Sequence, residues 1–201
     1  MSLLNEDLRR GIKALKEGQL VVYPTDTLYA LGADIYNEEA VKQLFEVKQR
    51  PSTEPLPVAI ASIDDLEKIA VVSPVITRVM QRFLPGPLTV VVPKKPGVLE
   101  NISGGQNTIA VRIPKSQVAL ELLSQVGPLT VTSANIHDQP PFPDIPSIKQ
   151  QLASERITVF LDVGKLSGKP STIVDLSTKN PRVLRRGVIT ENLIRDAIEH
   201  E

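Results

Sequence analysis

Lys48 and Arg50 stand two residues apart, and far along the chain Ser133 and Asn135 repeat that spacing. Two cations, a hydroxyl and an amide are donors suited to phosphate oxygens and a ribose. Val41, Leu44, Phe45 and Lys48 fall at i, i+3, i+4 and i+7, one stripe of a helix. Three of these are apolar and face a core, so Lys48 is a cation on the buried face. An ammonium directed inward needs an anionic partner, because an unpaired buried charge is costly. Pro51 stops the helix and biases Arg50 toward an extended conformation. The pair then reads as a phosphate clamp at a helix end. The simpler reading is a solvated C-terminus whose cations complement the helix dipole; the inward place of Lys48 argues against it. On the clamp reading, alanine at both positions removes activity and leaves thermal stability nearly unchanged.

Other residues carry a similar choice. Thr25-Asp26-Thr27 reads as a helix-cap cluster or as hydroxyls offered to a small polar substrate. Ser171-Thr172, after Gly168-Lys169-Pro170, has the same two readings. Ser133-Ala134-Asn135 is an Asx turn at a strand end or a ligand contact, since open α/β sheets bind ligands at strand ends. Residues 108 to 113 alternate: Ile109, Val111 and Ile113 face one way, Thr108, Ala110 and Arg112 the other. The second face suits the floor of a cleft, where Arg112 can pair with a carboxylate. Arg185 and Arg186, ending an apolar strand, are a surface charge pair or phosphate contacts. His137 is read as a rim residue rather than a catalytic base. Neither a Walker A sequence nor a GxGxxG pattern is present.

Composition narrows the chemistry. The 201 residues contain no cysteine, which excludes disulfides, thiolate catalysis and thiolate-bound zinc. The two histidines, His137 and His200, make a histidine metal cage untenable, and a Ser-His-Asp triad would need one of them. Lys plus Arg equals Asp plus Glu, 23 each, so any RNA or phosphate site must be a local patch. No apolar run has membrane-spanning length and no signal-peptide pattern occurs, so a cytoplasmic protein without membrane contact is expected.

The elements that must position these residues follow from periodicity and breakers. Helices are expected over 3–17, 37–48, 63–70, 74–83, 115–126, 147–153 and from 190. Within the second, Glu38 and Lys42 form an i,i+4 pair. Strands are expected at 19–23, 58–61, 88–92, 108–113, 129–132, 157–161, 171–176 and 182–185. Residues 101 to 107 form a Gly-rich loop and 138 to 146 a Pro-rich one. Without strict βαβ alternation, the pattern favours a twisted, mixed α/β sheet with flanking helices. One domain over 1–201, with its core at about 5–190, is the simplest organisation.

Taken in order, these stretches resemble the YrdC-like threonylcarbamoyl-adenylate synthases. The resemblance rests on Tyr23-Pro-Thr-Asp-Thr-Leu-Tyr29, Lys48-Gln-Arg-Pro51, Pro85-Gly-Pro-Leu-Thr89 and Ala110-Val-Arg-Ile-Pro114. Ser133-Ala-Asn135, Pro170-Ser-Thr-Ile-Val-Asp175 and Val183-Leu-Arg185 complete it. It implies a YrdC-like fold around a large concave basic cleft. It implies that L-threonine, bicarbonate and ATP, with Mg2+, give threonylcarbamoyl-AMP and pyrophosphate, a nucleotidyl transfer. The product would feed threonylcarbamoyl-adenosine modification of tRNA through a separate transferase complex. By matching positions it implies nucleotide contacts from Lys48, Arg50, Thr108, Ser133, Asn135 and Arg185. It implies threonine contacts from Thr25, Arg112 and Ser171, with no protein-bound metal and no assigned catalytic acid or base.

The chain departs from the family pattern at Ala30, where glycine is usual, and at Ile136-His137-Asp138, where Ser-Gly usually follows the asparagine. It is also expected to lack the extra C-terminal domain of the longer branch, since it ends soon after Arg185, so any lid that domain provides would be replaced by a loop or dispensed with. Two other readings compete. A YciO-like nucleotide-binding paralogue shares Tyr-Ala-Leu-Gly, but such paralogues tend to lack the Lys-X-Arg and Ser-X-Asn elements kept here. A module gripping double-stranded RNA through the basic cleft fits less well, given zero net charge and 3% aromatics.

Overall fold

Short polar side chains set where the helices begin. In this computed structural model, which describes residues 3–96, 98 and 100–199, α1 spans Leu3–Lys16. His200 lies outside the described residues. Asn37 caps α2 (Glu38–Lys48) by accepting from Ala40 N at 3.0 Å. Ser62 and Asp65 form a reciprocal capping box on α3 (Ile63–Ile69). Ser73 caps α4 (Pro74–Phe83), Ser116 caps α6 (Gln117–Val126) and Asp144 caps α7 (Ile145–Gln151). α5 is a single turn, Glu100–Ser103, and α8 is Glu191–Glu199.

The strands divide between two mixed sheets. One has the order β7 (Thr132–Ser133), β2 (Tyr29–Gly32), β1 (Leu20–Pro24), β8 (Ile157–Phe160), with only the β1–β8 pair parallel. The other has the order β10 (Arg182–Arg185), β9 (Thr172–Asp175), β4 (Leu88–Pro93), β5 (Thr108–Arg112), β3 (Val58–Ala59), β6 (Leu129–Thr130). Here β9–β4 and β5–β3 are parallel and the other neighbours antiparallel. The expected mixed α/β class therefore holds.

The segment 129–133 passes from one sheet to the other. The run expected as a single strand at 129–132 is divided: β6 belongs to the six-stranded sheet and β7 to the four-stranded one. Val131 lies between them, and its N–H donates to Pro57 O at 2.8 Å. Thr130 laces the seam, its hydroxyl donating to Leu31 O and accepting from Ala33 N. The phenol of Tyr23, fully buried, donates to Thr130 O at 2.9 Å. Burial pushes that phenol well above its ordinary value and keeps it a neutral donor.

Two apolar clusters hold these layers. The larger gathers Leu20, Val22, Leu31, Val41, Leu44, Val58, Val90 and Val111; the smaller packs Leu8 and Leu15 of α1 with Leu122 and Leu123 of α6 against Val21 and Tyr23. Each such fully buried side chain contributes roughly 1.5–3 kcal/mol relative to exposure.

Three sequence expectations need correction. β2 was not anticipated. α2 ends at Lys48 as expected, but Gln49 rather than Pro51 stops it: Gln49 takes the left-handed conformation (φ 53°) and its N–H and that of Arg50 close on Glu46 O and Phe45 O. Lys42 pairs with Glu39 at 3.9 Å instead of Glu38.

Candidate functional site

A cleft of about 490 Å3 opens where the two sheets meet, within the range of small-molecule sites, roughly 300–1,000 Å3. Tyr29 and Ala30 of β2 and Thr132 and Ser133 of β7 line one side. Thr89 and Val91 of β4, Thr108, Ala110 and Arg112 of β5, Ile173 of β9, and Leu184 and Arg185 of β10 line the other. The alternation of β5 survives intact: Ile109 and Val111 enter the core while Thr108, Ala110 and Arg112 form the floor. Arg50, Arg112 and Arg185 are the charged residues of the lining, and no carboxylate accompanies them on the described wall.

One group of polar residues centres on Arg112, which is 5% exposed. Its Nη1 donates to Thr27 Oγ1 at 3.0 Å, and its Nη2 donates to Asp26 Oδ1 at 2.7 Å and Gly86 O at 3.1 Å. The carboxylate that Arg112 meets is thus Asp26, which also accepts from Lys115 N. Thr25 Oγ1 lies 3.0 Å from Thr27 Oγ1 and donates to Leu28 O. The turn 25–27 is therefore held from behind, with Thr25 and Thr27 on the cleft wall.

A second group is built by β9 and β10. Ser171 Oγ lies 2.9 Å from Thr89 Oγ1 and accepts from Arg185 Nη2 at 3.1 Å. Arg185 donates further to Ser171 O through Nε and Nη2. Burial, and then the charge of Arg112, lowers the pKa of Arg185. Arginine stays charged in proteins, so the shift reflects a cation held out of water, with a second cation, the Asp26-paired Arg112, near it. Gly187 makes the arrangement possible. A Cβ there would lie 2.4 Å from Thr172 N and 2.5 Å from Ser171 C. Thr172 Oγ1 completes the crossing by donating to Ile189 O and accepting from Ile189 N.

The third group contains the two motifs noted first. Arg50 lines the cleft, with Nη2 donating to Pro55 O at 3.0 Å and paired to Glu54 Oε2 at 3.0 Å. Lys48 does not line it. Its Nζ, on a side chain 1% exposed, donates to Ser133 O at 2.5 Å and Asn135 O at 2.6 Å. The inward ammonium found two carbonyl dipoles rather than an anion. Burial, then the charge of Arg50, lowers its pKa to about 7. Asn135 also turns away, its Nδ2 donating to Ile136 O and Gln139 O to close the following loop. So Arg50 and Ser133 face the cleft, while Lys48 and Asn135 hold the backbone behind them.

Of the nine residues expected at the site, Thr25, Arg50, Thr108, Arg112, Ser133, Ser171 and Arg185 reach the cleft wall; Lys48 and Asn135 do not. Thr27, Thr89, Tyr29 and Leu184 also line it and were not singled out individually from the sequence. Thr27 was visible as the mirror of Thr25 across Asp26. Thr89 had no such signal, since its partner Ser171 is 82 residues away.

Residues 13–187 match the model of the Sua5/YciO/YrdC family, described as "Telomere recombination". The chain belongs to the Sua5/YciO/YrdC family. Among its relatives, the threonylcarbamoyl-AMP synthase of Vibrio vulnificus is 34% identical over 186 residues, covering 90% of this chain and 98% of the relative. The crystal structure of Pyrococcus abyssi Sua5 complexed with L-threonine superposes with a TM-score of 0.90 at 37% identity. That match covers 96% of this chain and 57% of the other, so the chain spans little more than half of that protein's length. The crystal structure of Escherichia coli YciO gives 0.83 at 26% identity, covering 94% and 92%. A YrdC-like fold is thereby established.

Among the described residues no group of three or more His, Asp or Glu is placed to hold a metal ion. No described helix is long and apolar enough to cross a membrane.

Proposed function

We propose that this chain is a nucleotidyltransferase that makes threonylcarbamoyl-AMP and pyrophosphate from L-threonine, bicarbonate and ATP. The observation that carries the reading is the convergence of Arg50, Arg112 and Arg185 on one cleft whose described lining holds hydroxyls and no carboxylate. The names of the relatives, and the L-threonine held by the P. abyssi protein, support this choice over a YciO-like paralogue, as does the lower identity to YciO.

The amine of threonine attacks bicarbonate, forming a C–N bond and releasing water to leave a carbamate. A carbamate oxygen then attacks the α-phosphorus, and the bond to pyrophosphate breaks. Neither step needs a covalent enzyme intermediate. The protein's contribution is to bring three reactants together and offset developing phosphate charge. Arg50, Ser133 and Thr108 take the nucleotide. Thr25 and Ser171 offer hydroxyls to threonine, and the guanidinium of Arg185, bonded to Ser171 O and Oγ, together with the Asp26-paired Arg112 offers its carboxylate a partner. Arg185 stands between the two roles and also reaches the phosphates. Lys48 and Asn135 act from behind by fixing the 133–139 backbone. Mg2+ enters with ATP, its ligands being phosphate oxygens and water. The product, an acyl phosphate, suits acyl transfer to tRNA by a separate transferase complex.

Purified protein with ATP, Mg2+ and bicarbonate should release pyrophosphate only when L-threonine is added. A folded, ATP-binding protein without that dependence overturns the reading. Salt-dependent RNA binding that ATP does not displace would favour an RNA module instead.

A further inference from the structure

Glu54 and His137 stand directly behind Arg50, and the proposed chemistry leaves both unused. Arg50 Nη2 donates to Pro55 O and is ion-paired with Glu54 Oε2 at 3.0 Å. Its Nη1 lies 3.4 Å from His137 Nδ1. A guanidinium can only donate, so His137 Nδ1 must present its lone pair. The imidazole proton then sits on Nε2, and Nε2 lies 3.3 Å from Glu54 Oε1. The Glu54 carboxylate thus stands beside both groups, Oε2 at the guanidinium and Oε1 at Nε2, and Asp138 Oδ1 lies 3.5 Å from the same Nε2. The ring is placed from α2 itself: His137 N donates to Lys48 O at 2.8 Å. Lys48 in turn grips Ser133 O and Asn135 O. The loop 133–137 and the end of α2 thus hold each other from both directions.

We infer that His137 and Glu54 are positioning residues for Arg50, with neutral His137 supplying the acceptor that aims the guanidinium into the cleft. The inference rests on the reading of Arg50 as a nucleotide contact. Arginine side chains have many rotamers, and fixing one before the ligand arrives removes that ordering cost from binding. His137 does not itself line the cleft, and its effect must pass through Arg50.

The test measures MgATP and L-threonine affinity by calorimetry for His137→Ala, His137→Asn, His137→Gln, Arg50→Ala and the double variant Arg50→Ala/His137→Ala. Asparagine places an oxygen where Nδ1 stands; glutamine places its amide nitrogen near Nε2 and leaves Arg50 without the acceptor. His137→Ala and His137→Gln should weaken ATP binding about tenfold with threonine affinity unchanged. His137→Asn should bind ATP as the wild type does, and His137→Ala should add nothing once Arg50 is alanine. The Asn–Gln comparison stands even where the alanine variant fails to fold. Equal losses in Asn and Gln, further loss in the double variant, or full ATP affinity in His137→Gln would overturn the inference. Full ATP affinity in Arg50→Ala would instead remove Arg50 from the nucleotide site, and the inference with it.

Discussion

Lys48 shows how one residue can be read correctly in place without its partners being foreseen. Its position on the buried stripe of α2 was legible from spacing alone. Its partners were not, because Ser133 and Asn135 approach only through the fold. A fully buried lysine holding two carbonyls is part of the structure, so the expectation that alanine at 48 and 50 spares stability is withdrawn for Lys48. Lys48→Ala leaves two carbonyls unpaired and a cavity, and should cost about 2–4 kcal/mol in denaturant unfolding. A pH dependence follows from its lowered pKa. The folded-state value is about 7, against roughly 10.4 in an unfolded chain. Between these values the unfolded state holds a proton the folded state lacks, so stability rises with pH. The advantage of wild type over Lys48→Ala should therefore grow between pH 7 and 9 and stay level below 7, as read by urea titration at each pH. Arg185 belongs to the same scale. Arg185→Ala removes a cation whose partners are Ser171 O and Oγ, and should weaken threonine binding at least tenfold in calorimetry.

Elements were legible where a local signal exists. The helix starts expected at 37, 63 and 74 fall at or beside the caps Asn37, Ser62 and Ser73, whereas α7 begins at Ile145, inside the run expected as a loop, because Asp144 caps it. β2 was missed because Tyr29, Ala30 and Leu31 are all buried; a strand covered on both faces shows no period-2 alternation. The division of 129–133 was hidden for another reason: Leu129-Thr130-Val131-Thr132 alternates like one continuous strand, and alternation does not say which sheet each residue joins. Gly187 marks the junction of β10 with the start of β9. Its Cβ would meet the backbone of 170–172, which cannot step aside as a flexible side chain would. Gly187→Ala should lower stability by about 1–3 kcal/mol. It should also weaken L-threonine binding while MgATP binding is largely kept, because Ser171 is displaced and the Arg50 side is not. Parallel thermal melts and calorimetry check both parts.

At the scale of the molecule, the cleft exists because two sheets meet at Val131 and offer different surfaces. The four-stranded sheet brings Tyr29, Ala30 and Ser133; the six-stranded sheet brings the floor of β5 and the arginine of β10. Local pattern supplied the mixed α/β class and the basic face of β5. It did not supply the pairing of Arg112 with Asp26, which closes a separation of 86 residues. The ordered run of motifs carried the rest, since it encodes which distant segments share a wall. The central claim is that this wall joins threonine, bicarbonate and ATP in one reaction. Pyrophosphate release, followed with and without L-threonine at saturating MgATP and bicarbonate, tests it most directly. The account predicts threonine-dependent release that Arg185→Ala reduces at least tenfold at subsaturating threonine. Release that ignores threonine, or none from folded protein that binds ATP, would contradict it.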